Sequence, residues 1–346
     1  MKKNISITIV VLIVFVFAAL LTGCGADVSA LNPDDTELRL IEIEPGSSAA
    51  SIGNKLEAEG LIVSSKDFRS FAKSEGYDVR FQAGTYSLSP AMSLGDICEI
   101  LVGGKTATVS FTVPEGLTIE QTAEKLASQG LGSYDDFIAA IEKDKYDYEF
   151  LKGADSLEGY LMPNTYSAVV NSSPHDIIDI MLKQFDKDAY SLIKEELNKN
   201  GSAASVHGAN GIVTIASIIE RECKIDSERP LVSSVIENRL NIGMNLGMCS
   251  TVQYLLLKET GEVKEVLLYS DLEIDSPYNT YKNSGLPPGA IASPGMASIK
   301  AALNPADTDY LYFVLSEKLD GTSNFSADYN KFLQDKDAYD RASRAS

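Results

Sequence analysis

The chain has 346 residues, enough for two domains, and its 49 acidic against 30 basic side chains leave a formal charge of −19. That balance offers no basic stripe for nucleic-acid phosphates and would repel a long polyanion, so a neutral or mixed-charge polymer suits the surface better. The two histidines, His175 and His207, lie far apart, no Cys or His pair has zinc spacing, and no Gly-rich phosphate loop occurs. By elimination catalysis falls to a carboxylate, with no metal or organic cofactor implied.

Residues 1–24 read as an export signal, with Lys2 and Lys3 ahead of an uninterrupted apolar run from Ile5 to Leu21. The run ends in Leu21-Thr22-Gly23-Cys24, which resembles the lipobox of bacterial lipoproteins. That resemblance implies cleavage before Cys24 and lipid on its sulfur; the alternative is an uncleaved N-terminal anchor, near the lower length limit for a span. Either way the remainder is expected on the extracytoplasmic face of a cell membrane. Three further cysteines, Cys98, Cys223 and Cys249, make no disulfide framework. Cys98 sits in an apolar helical pattern and reads as packing; a Cys223–Cys249 bridge is conceivable.

After a polar linker at 25–36 comes a repeat. Ile41 to Gly46 precedes a helix with Ile52 and Leu56, then Gly60-Leu61 and Phe68; Phe111 to Gly116 precedes one with Ala123 and Leu126, then Gly130-Leu131 and Phe137. Each unit reads as strand, Gly turn, helix, Gly cap and second short helix. Between them Gly84–Leu88 reads as a strand leading to a helix at Ser93–Leu101. These units resemble LysM glycan-binding modules, a plain α+β packing domain being the other reading, and they place an N-terminal region at 37–155. A second domain is expected at 156–335, with a charged tail at 336–346.

That second domain is organised around Gly211–Glu222, whose first nine residues are uncharged. A segment apolar nearly all round is expected to be a buried helix. Glu220 stands one turn above Ala216 and Ser217, whose small side chains suggest an open shelf beside the carboxylate. Burial against such a wall would raise the carboxyl pKa, as a general acid near neutral pH requires. Periodicity does not choose between Glu220 and Glu222, and either could merely pair with Arg221, Lys224 or Arg229. Before this helix lie the shaped loop Leu157–Tyr166, an amphipathic helical stretch Pro174–Leu197, and a polar connector at 198–211 in which His207 reads as loop. After it, Pro230 suits the first turn of a helix to Leu240, and a helix begins near Thr251. Ser276–Tyr281 and the Gly/Pro-rich Gly285–Gly295 suggest a rigid wall, with Tyr278, Asn279 and Tyr281 offering ring faces and an amide to a sugar chain. Tyr310–Leu315 reads as a strand.

Four blocks together resemble the endolytic murein transglycosylase (YceG-like) family: Glu158-Gly159-Tyr160 with Pro163, Thr165 and Tyr166; Ile215–Glu222 through Asn238–Met244; Tyr278–Tyr281 with Gly285–Gly289; and Pro294-Gly295 through Val314. The resemblance implies an α+β fold with LysM-like N-terminal modules and a mixed α+β catalytic domain around a buried central helix. It also implies cleavage between N-acetylmuramic acid and N-acetylglucosamine in nascent peptidoglycan, leaving a 1,6-anhydro end. The catalytic glutamate of the family falls on Glu220, with Ser217, Glu158, Tyr166, Thr251, Tyr278, Asn279 and Tyr281 expected at the substrate. Peptidoglycan strands, the membrane through Cys24 or an N-terminal helix, and a peptidoglycan synthase are the implied partners. Departures from the family pattern occur at Gly247, Cys249 and Ser250, where Gln, Asp and Pro are usual, and at Asn164, where Asp is usual; the segment around Ser323–Phe325 is also shortened. Two other readings stay open, a noncatalytic murein-binding lipoprotein and a hydrolase.

Overall fold

The computed structural model describes residues 28–199 and 202–345, so the apolar run and Cys24 lie outside the described residues. The described residues divide into two compact units, 28–109 with Val169–Asn171, and Ser110–Ala168 with the described residues from Ser172 on. Its class is mixed α+β, with helices around small two-stranded sheets.

In the first unit β1 (Arg39–Ile43) pairs antiparallel with β2 (Gly84–Leu88), Ile41 opposite Tyr86. Alternation along β1 turns Ile41 and Ile43 inward and Leu40 and Glu42 outward. Between the strands run α1 (Ala49–Ala58) and α2 (Ser65–Ser74). Each opens on a serine hydroxyl that accepts a first-turn N–H, Ser48 from Ser51 and Ser64 from Asp67. A Ser93–Asp96 capping box starts α3 (Leu94–Val102). Ile52, Leu56, Phe68, Tyr86, Ile97, Cys98 and Leu101 form this unit's core, so Cys98 packs as expected.

The second repeat follows the same order, β3 (Thr108–Val113), α4 (Ile119–Ser128), α5 (Tyr134–Ala140) and β4 (Asn164–Val169), with β3 and β4 as neighbours in one sheet. It has no core of its own. Phe111, Val113, Ala123, Leu126 and Phe137 join one continuous apolar core with Ile212–Ile219, and residue 155 falls within this second unit. Next, α6 (Pro174–Phe185), a wide turn at Asp186–Tyr190 and α7 (Ser191–Leu197) run on without a break.

The central helix, α8 (Ala203–Glu222), starts eight residues earlier than expected. Ser202 caps its start and Gly208 (φ 72, ψ 174) breaks it before Gly211, so residues 203–211 of the segment read as a polar connector belong to this helix. His207 precedes the break, with Nε2 2.9 Å from Glu237 Oε2. Beyond the break every residue from Ile212 to Ile219 is buried. At Gly159 (φ +91) a Cβ would lie 2.5 Å from Ala290 and 2.8 Å from Val213, so only glycine lets the 157–162 loop cross α8 there. α9 (Arg229–Asn241) carries Pro230 in its first turn, α10 (Cys249–Thr260) follows, and α11 (Met296–Leu303) packs along α8. The hairpin of β5 (Tyr312–Leu315) and β6 (Ser323–Ser326) stacks Tyr312 on Tyr329 and Phe332 of α12 (Tyr329–Ala345). Cys98, Cys223 and Cys249 are free thiols, so no 223–249 bridge forms. Cys223 Sγ instead meets the Ile225 carbonyl oxygen at 3.2 Å, and Cys249 Sγ the Tyr281 hydroxyl at 3.1 Å.

Leu126 is fully buried in the shared core. Leu126→Ala is expected to cost about 2–5 kcal/mol, read as a lowered urea midpoint with unchanged slope.

Candidate active site

Three elements of the second unit meet at Glu220. The last turn of α8 delivers its carboxylate, α9 delivers Arg229, and the start of α11 delivers Gly295 and Ser298. Oε2 accepts from Ser298 Oγ at 2.8 Å and from the Gly295 N–H at 3.0 Å, and lies 3.2 Å from Arg229 Nη1; Oε1 accepts from Arg229 Nη2 at 3.3 Å. Arg229 also donates through Nε to Asp226 at 2.9 Å and through Nη1 to Ser298 Oγ. Both side chains of the pair are nearly closed off, Glu220 being 8% and Arg229 7% exposed. An anion at the head of α11 is in a favourable place, since the first amides of a helix point out unpaired.

This environment differs from the expected open apolar shelf. Ala216 and Ser217 are fully buried, because the segment after Gly289 lies on them. Ser217 Oγ accepts from the Ile291 N–H at 3.1 Å and donates to the Thr214 carbonyl at 2.7 Å. The small side chains thus admit backbone, and the burial of Glu220 is burial within an ion pair. Of the three cations considered beside it, Arg229 makes that pair, while Arg221 turns away and donates to the Gly116 carbonyl at 3.2 Å.

The other expected site residues are spread over several contacts. Glu158 Oε1 accepts from the Ile119 N–H at 3.2 Å and Oε2 from the Tyr254 hydroxyl at 3.4 Å, beside Tyr278, whose ring lies 5.3 Å from that of Tyr254. Burial, and then the charge of Glu120, push the Glu158 carboxyl up to about 8. Asn279 is buried with its amide spent on the Leu272 and Ile274 carbonyls, both at 2.8 Å, and its Oδ1 on the Tyr281 N–H at 3.0 Å. Thr251 is buried against Thr280, their hydroxyls 2.9 Å apart. The Tyr281 carbonyl accepts from Asn245 at 2.8 Å. Tyr166 stacks on Phe111 at 5.3 Å and donates to the Met162 carbonyl. None of these seven residues makes a hydrogen bond to Glu220. Glu222, the rival of Glu220, accepts from the Ser250 N–H at 2.9 Å at the head of α10, and burial raises its carboxyl.

Sequence reasoning missed Gly295, Ser298 and Glu115 as neighbours of Glu220. A methyl placed on Gly295 would fall 1.9 Å from Glu115 Oε1. The available signal was the Val113-Pro114-Glu115-Gly116 turn, whose charged residue was read only as part of a turn. No group of three or more His, Cys, Asp or Glu able to hold a metal occurs among the described residues.

A model of the YceG-like family matches residues 41–338. The chain is 38% identical over 290 residues to an endolytic murein transglycosylase of Bacillus subtilis, a match covering 79% of this chain and 78% of that protein. It is 33% identical over 340 residues to an endolytic murein transglycosylase of Streptococcus pneumoniae, covering 86% of this chain and 59% of the longer relative. A crystal structure of a yceG-like protein from Listeria monocytogenes aligns with a TM-score of 0.57 at 33% identity, covering 86% of this chain and 99% of that one.

Two outcomes follow from the buried charges. Arg229→Met strands the Glu220 carboxylate and is expected to cost about 3–5 kcal/mol in urea unfolding, most of it recovered in the Arg229→Met, Glu220→Gln double variant. Glu158 holds its proton in the folded state to about pH 8 but releases it near its ordinary value of 4.5 when unfolded. Between those values the folded chain binds more protons, so this group's contribution to stability falls as pH rises, by at most about 1.4 kcal/mol per unit. Unfolding measured from pH 5 to 9 should show a shallower decline in Glu158→Gln.

Proposed function

The chain belongs to the YceG-like family, and from that membership we propose that it is an endolytic murein transglycosylase acting on peptidoglycan glycan strands, with Glu220 as its catalytic carboxylate. The observation that carries this reading is the convergence of Arg229, Gly295 and Ser298 on that one side chain, just beyond the buried apolar stretch Ile212–Ile219 of α8. In its acid form Glu220 gives a proton to the oxygen between N-acetylmuramic acid and N-acetylglucosamine. The C1–O bond breaks with its electron pair on that oxygen, the muramyl C6 hydroxyl oxygen bonds to C1, and the hydroxyl proton returns to Glu220. The nucleophile belongs to the substrate, so its effective concentration replaces an activated water.

We also read the first unit as LysM-like, supported by its strand–helix–helix–strand order and antiparallel sheet. Cys24 is read as a lipid attachment point that ties the chain to the outer face of a membrane beside a peptidoglycan synthase, on the strength of the Leu21–Cys24 motif. In the same reading Tyr278 and Tyr281 face the sugar chain, while Ser217, Glu158, Tyr166, Thr251 and Asn279 act from beneath it by fixing the walls. The ion pair favours one other reading, a noncatalytic murein binder in which Glu220 is structural.

Mass spectrometry of glycan strands separates the two. The enzyme is expected to yield 1,6-anhydro-muramyl ends, and Glu220→Gln to lower their formation by at least about 100-fold while sacculus binding persists. Reducing-end muramic acid in their place would mark a hydrolase, and no new ends at all would mark a binder.

A further inference from the structure

The loop Pro114–Leu117 is fastened over the Glu220 side chain. The Gly116 N–H donates to the Ser293 carbonyl and the Ser293 N–H to the Leu117 carbonyl, both at 2.8 Å, and Arg221 donates to the Gly116 carbonyl. Gly116 is buried at φ +77, and a Cβ on it would sit 3.7 Å from Glu220 Cγ. This clamp sets Glu115 against Gly295. A methyl there would fall 1.9 Å from Glu115 Oε1 and 2.1 Å from its Cδ, while the N–H of the same Gly295 holds Glu220 Oε2 at 3.0 Å. Two carboxylates therefore press on one glycine. Glu115 stays exposed where Glu220 is nearly covered. Among the described residues Glu115 has no hydrogen-bond donor or ion-pair partner of its own.

We propose that Glu115 is the second carboxylate of this site and shares with Glu220 the proton that strand cleavage cycles. The inference rests on the transglycosylase reading above. Charged groups facing Glu115 are Glu220 and, beside the clamp, Arg221 from α8, Asp226 from the following turn, and Arg229 from α9. Partial burial raises the Glu115 carboxyl first, the charge of Glu220 raises it further, Arg229 opposes, and Asp226 adds slightly. The negative charge of Glu220 is thus one reason that Glu115 keeps its proton to higher pH than an isolated carboxyl would. During cleavage the pair gives up that proton to the glycosidic oxygen as the C1–O bond breaks. It regains one from the C6 hydroxyl as the new O–C1 bond forms, leaving the pair unchanged and needing no co-reactant. The covered Glu220 is fixed by three donors, while Glu115 reaches solvent.

The test is the pH dependence of 1,6-anhydro product formation on isolated glycan strands by the full chain, from about pH 4 to 9. Removing a neighbouring negative charge lets the remaining carboxyl lose its proton earlier. Glu115→Gln is therefore expected to lower kcat at least about tenfold, leave KM unchanged, and move the alkaline limb down by about one pH unit. Gly295→Ala, whose methyl evicts the Glu115 carboxylate, should move the limb the same way at a backbone position (φ −77) that alanine accepts. Glu115→Asp should restore part of both effects. An alkaline limb left in place in Glu115→Gln and Gly295→Ala, whether or not the rate falls, overturns the inference and leaves the transglycosylase reading standing. Absence of anhydro ends from the unaltered chain at every pH removes that reading and this inference with it.

Discussion

A guanidinium taken out of water at the end of the central helix sets the terms for the rest of the second unit. Arg229 is buried, and such a charge is tolerated only where anions and acceptors enclose it. Glu220 and Asp226 supply the anions and Ser298 the further acceptor. Three helices have to end or begin at one point for that to happen. α8 must be apolar enough to run through the core and still finish in a carboxylate. α9 must start within a few residues of that finish, which Pro230 favours by fixing φ at a first turn where no amide hydrogen is needed. α11 must start on a residue with an N–H to give and no side chain in the way, which is the role of Gly295.

What the residue pattern could express is whatever depends on near neighbours along the chain. The uncharged run to Ile219 announces a buried helix, and Gly46 and Gly60 announce the turn before α1 and the cap after it. The mixed α+β class and the family follow from such features and from the spacing of four motifs. The break at Gly208 was less accessible, because glycine in a polar stretch reads equally as loop or as a kink within one helix. The two repeats look alike in sequence yet end in different cores, since sharing a core is decided by what packs on the outer faces of Phe111, Ala123 and Leu126.

Of the cluster proposed as the active site, the sequence singles out one residue, Glu220. Its partners stand 9 to 78 positions from Glu220, and no local rule selects Arg229 over Arg221 or Lys224. Small residues at Ala216 and Ser217 do mark a close approach, but a close approach by backbone and one by ligand leave the same trace in sequence. The Ile291 N–H on Ser217 is what distinguishes them. Likewise Asn279 and Thr251 are polar residues in a distinctive motif whose hydrogen-bonding capacity is spent inside the protein, so the motif describes how a wall is held.

Three carboxylates in this unit share one architectural device and differ in what surrounds it. Glu158 meets the first amide of α4, Glu222 an amide in the first turn of α10, and Glu220 the amide that heads α11. Each places a carboxyl oxygen where a helix leaves N–H groups unpaired. Glu158 is raised to about 8, yet it is buried with its oxygens taken up by the Ile119 amide and the Tyr254 hydroxyl. Glu222 is likewise raised by burial and committed to the Ser250 amide. Only in Glu220, of the three, is the helix end combined with a buried cation and with an exposed second carboxylate across a glycine. Under the proposed function the most strongly raised carboxyl is therefore not the catalytic one. What matters in that reading is a carboxylate held by fixed donors beside a second that reaches solvent, since such an arrangement lets charge and proton be exchanged with a substrate while the protein framework stays still.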